Sequence, residues 1–182
     1  MTAPLNRQCV PIFLVGFSGS GKSTLGPLIA KNLKFDCVDT DSYLEAFTGQ
    51  SIRTIFEEKG EAYFRELEKK LLLETLPPTP LVVACGGGVV TIPGLCEALQ
   101  QKGLVIVLQA PLSTLLQRLE GRLEHRPLLQ GPNLEQAVRE KFEERLPLYQ
   151  AAGFQVKSDG LSPQALAYHI ADYYRSLYPL NN

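Results

Sequence analysis

Five runs along the chain read as strands, most of them apolar without alternation: "CVPIFLVG" (9–16), "FDCVDT" (35–40), "LVVACGGG" (81–88), "LVIVLQA" (104–110) and "FQVK" (154–157). Uninterrupted apolar, β-branched runs predict strands covered on both faces, whereas alternation would predict a sheet with one wet side. Helical stretches separate the runs, so the pattern predicts an α/β fold built on an open, mostly parallel sheet. Pro11 suits the first residue of a strand, where its missing N–H does least harm. The last helix is the most clearly marked. Ser162 caps it, Pro163 fits its first turn, and Leu166, Ile170, Tyr173 or Tyr174, and Leu177 follow at helical spacing. "LPPTP" (76–80) reads as a stiff turn into the third strand, and the chain has no internal repeat.

Two segments exceed a minimal sheet-and-helix layer: residues about 41–70 and an Arg-rich stretch about 118–132. In the first, Ile52, Ile55 and Phe56, then Phe64, Leu67 and Leu71, form apolar stripes, and Gly60 is expected to separate two short helices. Function in an α/β protein usually sits in such excursions at the carboxyl ends of strands.

The length, 182 residues, fits one domain with a sizeable core. A net charge of −1 argues against a general nucleic-acid binder. No apolar run approaches the roughly 20 residues that cross a bilayer. The first strand starts near Cys9 or Val10, which leaves no room for a targeting peptide, and a cytoplasmic location is expected. Cys9, Cys37, Cys85 and Cys96 form no C-x-x-C pair and lie far from His125 and His169. They read as buried, reduced thiols rather than a zinc site.

The chemistry begins at "GFSGSGKST" (16–24). Gly16, Gly21, Lys22 and Ser23 fit G-x-x-x-x-G-K-(S/T) between a strand and a helix. Successive backbone N–H groups of such a loop, and the helix N-terminus behind it, point at phosphate oxygens. Lys22 would reach the β- and γ-phosphates and the Ser23 hydroxyl would ligate magnesium. Pro27 falls in the second turn of that helix and removes one hydrogen bond there.

What receives the phosphate depends on the rest of the chain. "VDTDSY" ends the second strand, and if the strand is still extended Asp39 and Asp41 share a face. Asp39 would orient a metal-bound water and Asp41 would accept a hydrogen bond from a substrate hydroxyl, unless both are solvated turn acids. Arg65, between Phe64 and the acidic Glu66 and Glu68, is either an ion-paired surface residue or a clamp for an anionic substrate. Gly86, Gly87 and Gly88 after the third strand let backbone approach a ligand closely.

In order and spacing, "GFSGSGKST", "DTD", "SIRTIFEEKGEAYFRELE", "GGG", "RPLL" and "RLPLY" resemble the shikimate kinases of the P-loop kinase superfamily. The resemblance covers essentially the whole chain. It implies a three-layer α/β fold with a central five-stranded parallel sheet of order 2-3-1-4-5. It also implies a single domain over 1–182, with a substrate-binding subdomain at about 41–70 and a lid at about 118–132. It implies magnesium-dependent transfer from ATP to shikimate by a monomer that needs neither nucleic acid nor membrane. Position by position, Gly19, Ser20, Gly21, Lys22, Ser23 and Thr24 fall at the ATP site. Arg118 falls beside the adenine, with Pro163 near its other side, and Arg126 is the lid arginine. Ser23, and Asp39 through water, fall at the magnesium. Asp41, Arg65, Gly86, Gly87, Gly88 and Arg145 fall at shikimate. Lys22, Asp41 and Arg126 are the implied catalytic set, while Arg122 stays unassigned and His125 reads as a spectator. Cys85, where the family more often has Thr, Ser or Leu, and Pro27 depart from the pattern without removing a catalytic group. Two other readings stay open on the residues: a gluconate or nucleoside monophosphate kinase, and a nucleotide-binding scaffold that has lost catalysis.

Overall fold

The apolar runs become five parallel strands: β1 (Ile12–Val15), β2 (Asp36–Asp39), β3 (Leu81–Ala84), β4 (Leu104–Gln109) and β5 (Phe154–Lys157). The structure, a computed structural model, describes residues 9–77, 79–119 and 134–179. The sheet order is β2-β3-β1-β4-β5, as the family resemblance implies. Register is continuous across the sheet, with Ile12 opposite both Val82 and Leu104 and Asp39 opposite Ala84. Each strand is shorter than or equal to its apolar run, because the carboxyl-end residues leave the ladder as loops.

Side chains of a strand alternate between faces, so the central strands β1, β3 and β4 feed two cores. The edge strands β2 and β5 are instead exposed or half-buried, and not covered on both faces as expected. Ile12, Leu14, Val82, Ile106 and Leu108 pack one way, against α1 (Lys22–Leu33) and α7 (Pro163–Leu177). Phe13, Val15, Val83, Val105 and Val107 pack the other way. They meet α4 (Leu95–Lys102), α5 (Leu112–Leu119) and α6 (Leu134–Ala151). A fully buried aliphatic side chain contributes about 1.5–3 kcal/mol, so these two layers outweigh the third cluster. That smaller cluster joins Leu44 of α2 (Thr40–Thr48) to Ile55, Phe64 and Leu71 of α3 (Ile52–Lys70) and the turn after it.

Helix signals hold at both chain ends of the fold. Ser162 Oγ accepts from Ala165 N at 3.2 Å, Pro163 opens α7, and the buried tyrosine is Tyr174 rather than Tyr173. Pro27 lies in α1 on its exposed side, where it has no N–H to offer the Ser23 carbonyl. Gly60 interrupts α3 with φ 80°, ψ 169°, so the segment is two helices meeting at a kink. The thiols differ from expectation: all four are free, but only Cys85 is buried, and Cys37 is exposed because β2 is an edge strand. Among the described residues no helix is long and apolar enough to cross a membrane.

Candidate active site

Loops leaving the carboxyl ends of β1, β2 and β3 converge beside one another because those strands are neighbours and parallel. After β1 the chain wraps through Phe17–Gly21, closed by Ser20 N to Phe17 O at 3.1 Å, and enters α1 at Lys22. Phe17 anchors the wrap, edge-on to Phe142 at 5.5 Å and to Tyr149 at 6.3 Å. Lys22 is buried, its Nζ donating to Gly16 O at 2.7 Å and Phe17 O at 3.1 Å. With no acid in the first turn of α1, its N-terminal N–H groups and Lys22 make this a cationic pole.

A cleft of about 330 Å³ opens along Gly19–Leu25 and is closed by Arg118, Ser158, Leu161, Pro163 and Leu166. Arg118 bridges its two sides, donating to Gly19 O at 3.2 Å and Ser158 O at 3.0 Å. Every described residue assigned to the nucleotide by sequence lines this one cleft. Arg122, His125 and Arg126 lie outside the described residues.

A second cleft, about 320 Å³, holds Asp41, Arg65, Gly86, Gly87, Gly88 and Arg145 together. Glu45, Glu68 and Lys141 also line it, and Ser23 and Asp39 stand on its border with the phosphate loop. Ser23 borders both clefts. Its Oγ donates to Asp39 Oδ2 at 2.6 Å.

The route by which Asp39 and Asp41 come together differs from the strand-face expectation. β2 stops at Asp39, whose Oδ1 accepts from Asp41 N at 3.1 Å and Ser42 N at 3.2 Å and so caps α2. Asp41 is a first-turn helix residue. Capping satisfies N–H groups that an extended strand would leave open at this edge.

Arg65 is neither a plain surface ion pair nor an isolated clamp. Nη2 pairs with Glu61 Oε1 at 2.7 Å, Nη1 with Glu68 Oε2, and the guanidinium lies 5.5 Å from the Phe64 ring centroid. Burial opposes its charge, but Glu68 and Glu61 outweigh that and hold its pKa above the usual value. Glu68 is fully buried, with Oε1 unpartnered among the described residues. Burial pushes its carboxyl up to about 7, against the pull of Arg65. Sequence reasoning passed over it, although three residues along a helix is one face and Glu66 is on another.

The glycine run has a second reason beyond ligand approach. A Cβ on Gly88 would collide with the Arg65 guanidinium, and one on Gly86 with Glu68 and, at 2.9 Å, with Asp41 Oδ1. The glycines let the cleft's own charged side chains lie on the backbone. Arg145 arrives from α6, buried, with Nε unpartnered among the described residues. Cys85, before the run, is buried in the core with its thiol pushed well up by burial. Among the described residues no group of three or more His, Cys, Asp or Glu could hold a metal.

A phosphate loop facing a cleft with arginines and an acid is shared by several kinases, and the comparisons decide between them. The family model for shikimate kinase matches residues 18–175. The chain belongs to the shikimate kinase family. Shikimate kinase of Prochlorococcus marinus is 41% identical over 166 residues, covering 91% of this chain and 83% of that protein. The solved shikimate kinase of Acinetobacter baumannii, in complex with shikimate, superposes with a TM-score of 0.84 at 34% identity. It covers 94% of this chain and 96% of that one. The enzyme from Bacteroides thetaiotaomicron gives 0.80 at 30% identity, with 94% and 99% coverage. Shikimate kinase membership makes this chain an ATP-dependent phosphotransferase.

Proposed function

We propose that this chain transfers the γ-phosphoryl group of ATP to the 3-hydroxyl of shikimate, a step towards aromatic amino acids. The observation that carries the reading is Ser23, which borders both the phosphate-loop cleft and the cleft of Asp41, Arg65 and Arg145. Donor and acceptor seated there meet at one point.

Nucleotide phosphates bind along Gly19–Thr24, and the base lies between Arg118 and Pro163. Shikimate sits with its carboxylate on Arg65 and Arg145, whose planar forks suit that group. Its ring hydroxyls lie toward Asp41 and the backbone of Gly86–Gly88. The Ser23 hydroxyl and Asp39 carboxylate, 2.6 Å apart, are hard oxygen donors that fit magnesium. Ser23 would hold the ion directly and Asp39 through water, and the ion would supply neutralisation of phosphate charge. Transfer through a loose transition state needs positioning and charge neutralisation more than covalent help. Lys22 turns from the loop carbonyls to the transferring group, and Arg126 adds charge from a lid at about 118–132. The lid excludes water that would otherwise take the phosphoryl group. Asp41 orients the acceptor hydroxyl. Residues 41–70 form the acceptor subdomain of a single domain, and the enzyme works as a cytoplasmic monomer.

Shikimate, gluconate and a nucleoside monophosphate offered side by side with magnesium-ATP test the reading. Phosphorylation of shikimate at least about a hundredfold faster than the others is expected, about 2.7 kcal/mol of discrimination. The arginines disfavour the nucleotide, and the "DTD" and "GGG" segments disfavour gluconate, which shares the carboxylate. Preference for gluconate or the nucleotide contradicts it.

A further inference from the structure

Three hydroxyls hold the glycine run. Gly86 N–H donates to Thr40 Oγ1 at 2.9 Å, Tyr149 Oη donates to Gly87 O, and Thr91 Oγ1 donates to Gly88 O at 2.8 Å. Thr40 and Tyr149 are buried. Three successive glycines are the least self-ordering backbone a chain can have, so without such bonds the run would sample many conformations. Thr91 is local to the loop. The other two come from afar in sequence, 46 and 62 residues away.

Their origin is the informative part. Thr40 stands between Asp39 and Asp41, at the start of α2. Tyr149 follows Arg145 by four residues, on the same face of α6. Its ring also meets Phe17 of the phosphate loop edge-on. Gly87 itself lies against that loop, where a Cβ would stand 3.2 Å from Ser18 Oγ. Each bond therefore fixes one acceptor-cleft side chain relative to the glycine backbone: Asp41 through Thr40, and Arg145 through Tyr149.

We propose that Thr40 and Tyr149 are positioning residues that lock the Gly86–Gly88 backbone, Asp41 and Arg145 into one acceptor-binding geometry. The proposal rests on the reading of this cleft as the shikimate site. Neither residue touches the reacting atoms. They act by holding those that do.

The test uses the full chain and three variants. Tyr149→Phe keeps the ring on Phe17 and removes the donor to Gly87. Thr40→Val keeps shape and removes the acceptor for Gly86, and Thr40→Ser keeps the hydroxyl. Amide exchange is read by NMR without substrates at Gly86, Val89 and Thr91, whose N–H groups are bonded to Thr40 or to the glycine carbonyls. It is expected to quicken about tenfold in Tyr149→Phe and Thr40→Val. That is the scale of one buried hydrogen bond. With saturating ATP, KM for shikimate rises about tenfold and kcat falls in the same two variants, while KM for ATP stays within about twofold. Thr40→Ser restores both. A purely structural role would move ATP and shikimate parameters together, or lower Tm without this split.

Unchanged exchange, or faster exchange with unchanged shikimate kinetics, overturns the proposal. If Tyr149→Phe does not fold, the Thr40→Val and Thr40→Ser pair decides alone. Wild-type protein that releases no ADP in response to shikimate overturns the functional reading instead, and the positioning role with it. Active wild type with indifferent variants overturns the positioning role only.

Discussion

Gly88 and Glu68 show how tightly single residues define the acceptor cleft. A methyl group at Gly88 meets the Arg65 guanidinium, so the arginine must swing within the cleft and give up its pairing with Glu61 and Glu68. Gly88→Ala is therefore expected to raise KM for shikimate about tenfold or more, the equivalent of about 1.4 kcal/mol. KM for ATP should stay near wild type, and steady-state kinetics with each substrate varied in turn would show it. Equal loss for both substrates would mean that the clash is relayed to the phosphate loop. Glu68 gives a pH prediction. Its carboxyl is pushed up to about 7 from an ordinary 4.5, chiefly by burial, with Asp41 and Glu61 adding and Arg65 opposing. Between those values the native state keeps a proton that the unfolded chain has lost. The stabilisation is complete below the unfolded value and disappears as pH rises through about 7. Wild-type Tm should thus fall relative to Glu68→Gln as pH is raised from about 5 to about 8. Parallel curves for the two proteins would show that Glu68 stays ionised throughout.

At the scale of elements, the kink in α3 connects sequence to site. Gly60 sits at φ 80°, ψ 169°, a region that is essentially glycine-only, and a Cβ there would meet nothing within 4 Å. Gly60→Ala should then cost about 1–3 kcal/mol through backbone strain alone, seen as a lower urea midpoint with an unchanged m-value. A neutral result would mean that the two halves of α3 straighten without penalty. Elements with strong local signals were legible in the sequence. The strands read from apolar runs, the last helix from Ser162 and Pro163, and the kink from a glycine between two apolar stripes. The turn at "DTD" was not, because a cap that ends a strand and a strand that continues look alike over three polar residues. Asp39 takes the cap because two backbone N–H groups need an acceptor. The described residues that line the two clefts were legible as a set through resemblance to a family, and Arg126 lies outside the described residues. Of their supports, Glu68 was signalled by its three-residue spacing from Arg65 and passed over, whereas Thr40 and Tyr149 were hidden because each works through a contact 46 or 62 residues away that only the fold creates.

For the whole molecule, the sheet order places the phosphate loop of β1 beside the glycine run of β3 and the acids after β2. Two clefts that meet at Ser23 follow from that adjacency. The exposed edge strands β2 and β5 bound the sheet, and the site gathers at the carboxyl ends from β2 across β3 to the central β1. On the proposed reading, the arrangement makes one catalytic unit of the phosphate-loop cleft and the cleft of Asp41, Arg65 and Arg145. ADP release from magnesium-ATP with and without shikimate, with the product examined by mass and by phosphorus NMR, tests that claim most directly. The account predicts strong stimulation, one ADP per shikimate consumed, and a phosphate ester at the 3-hydroxyl. ATP binding without shikimate-stimulated ADP release would contradict it.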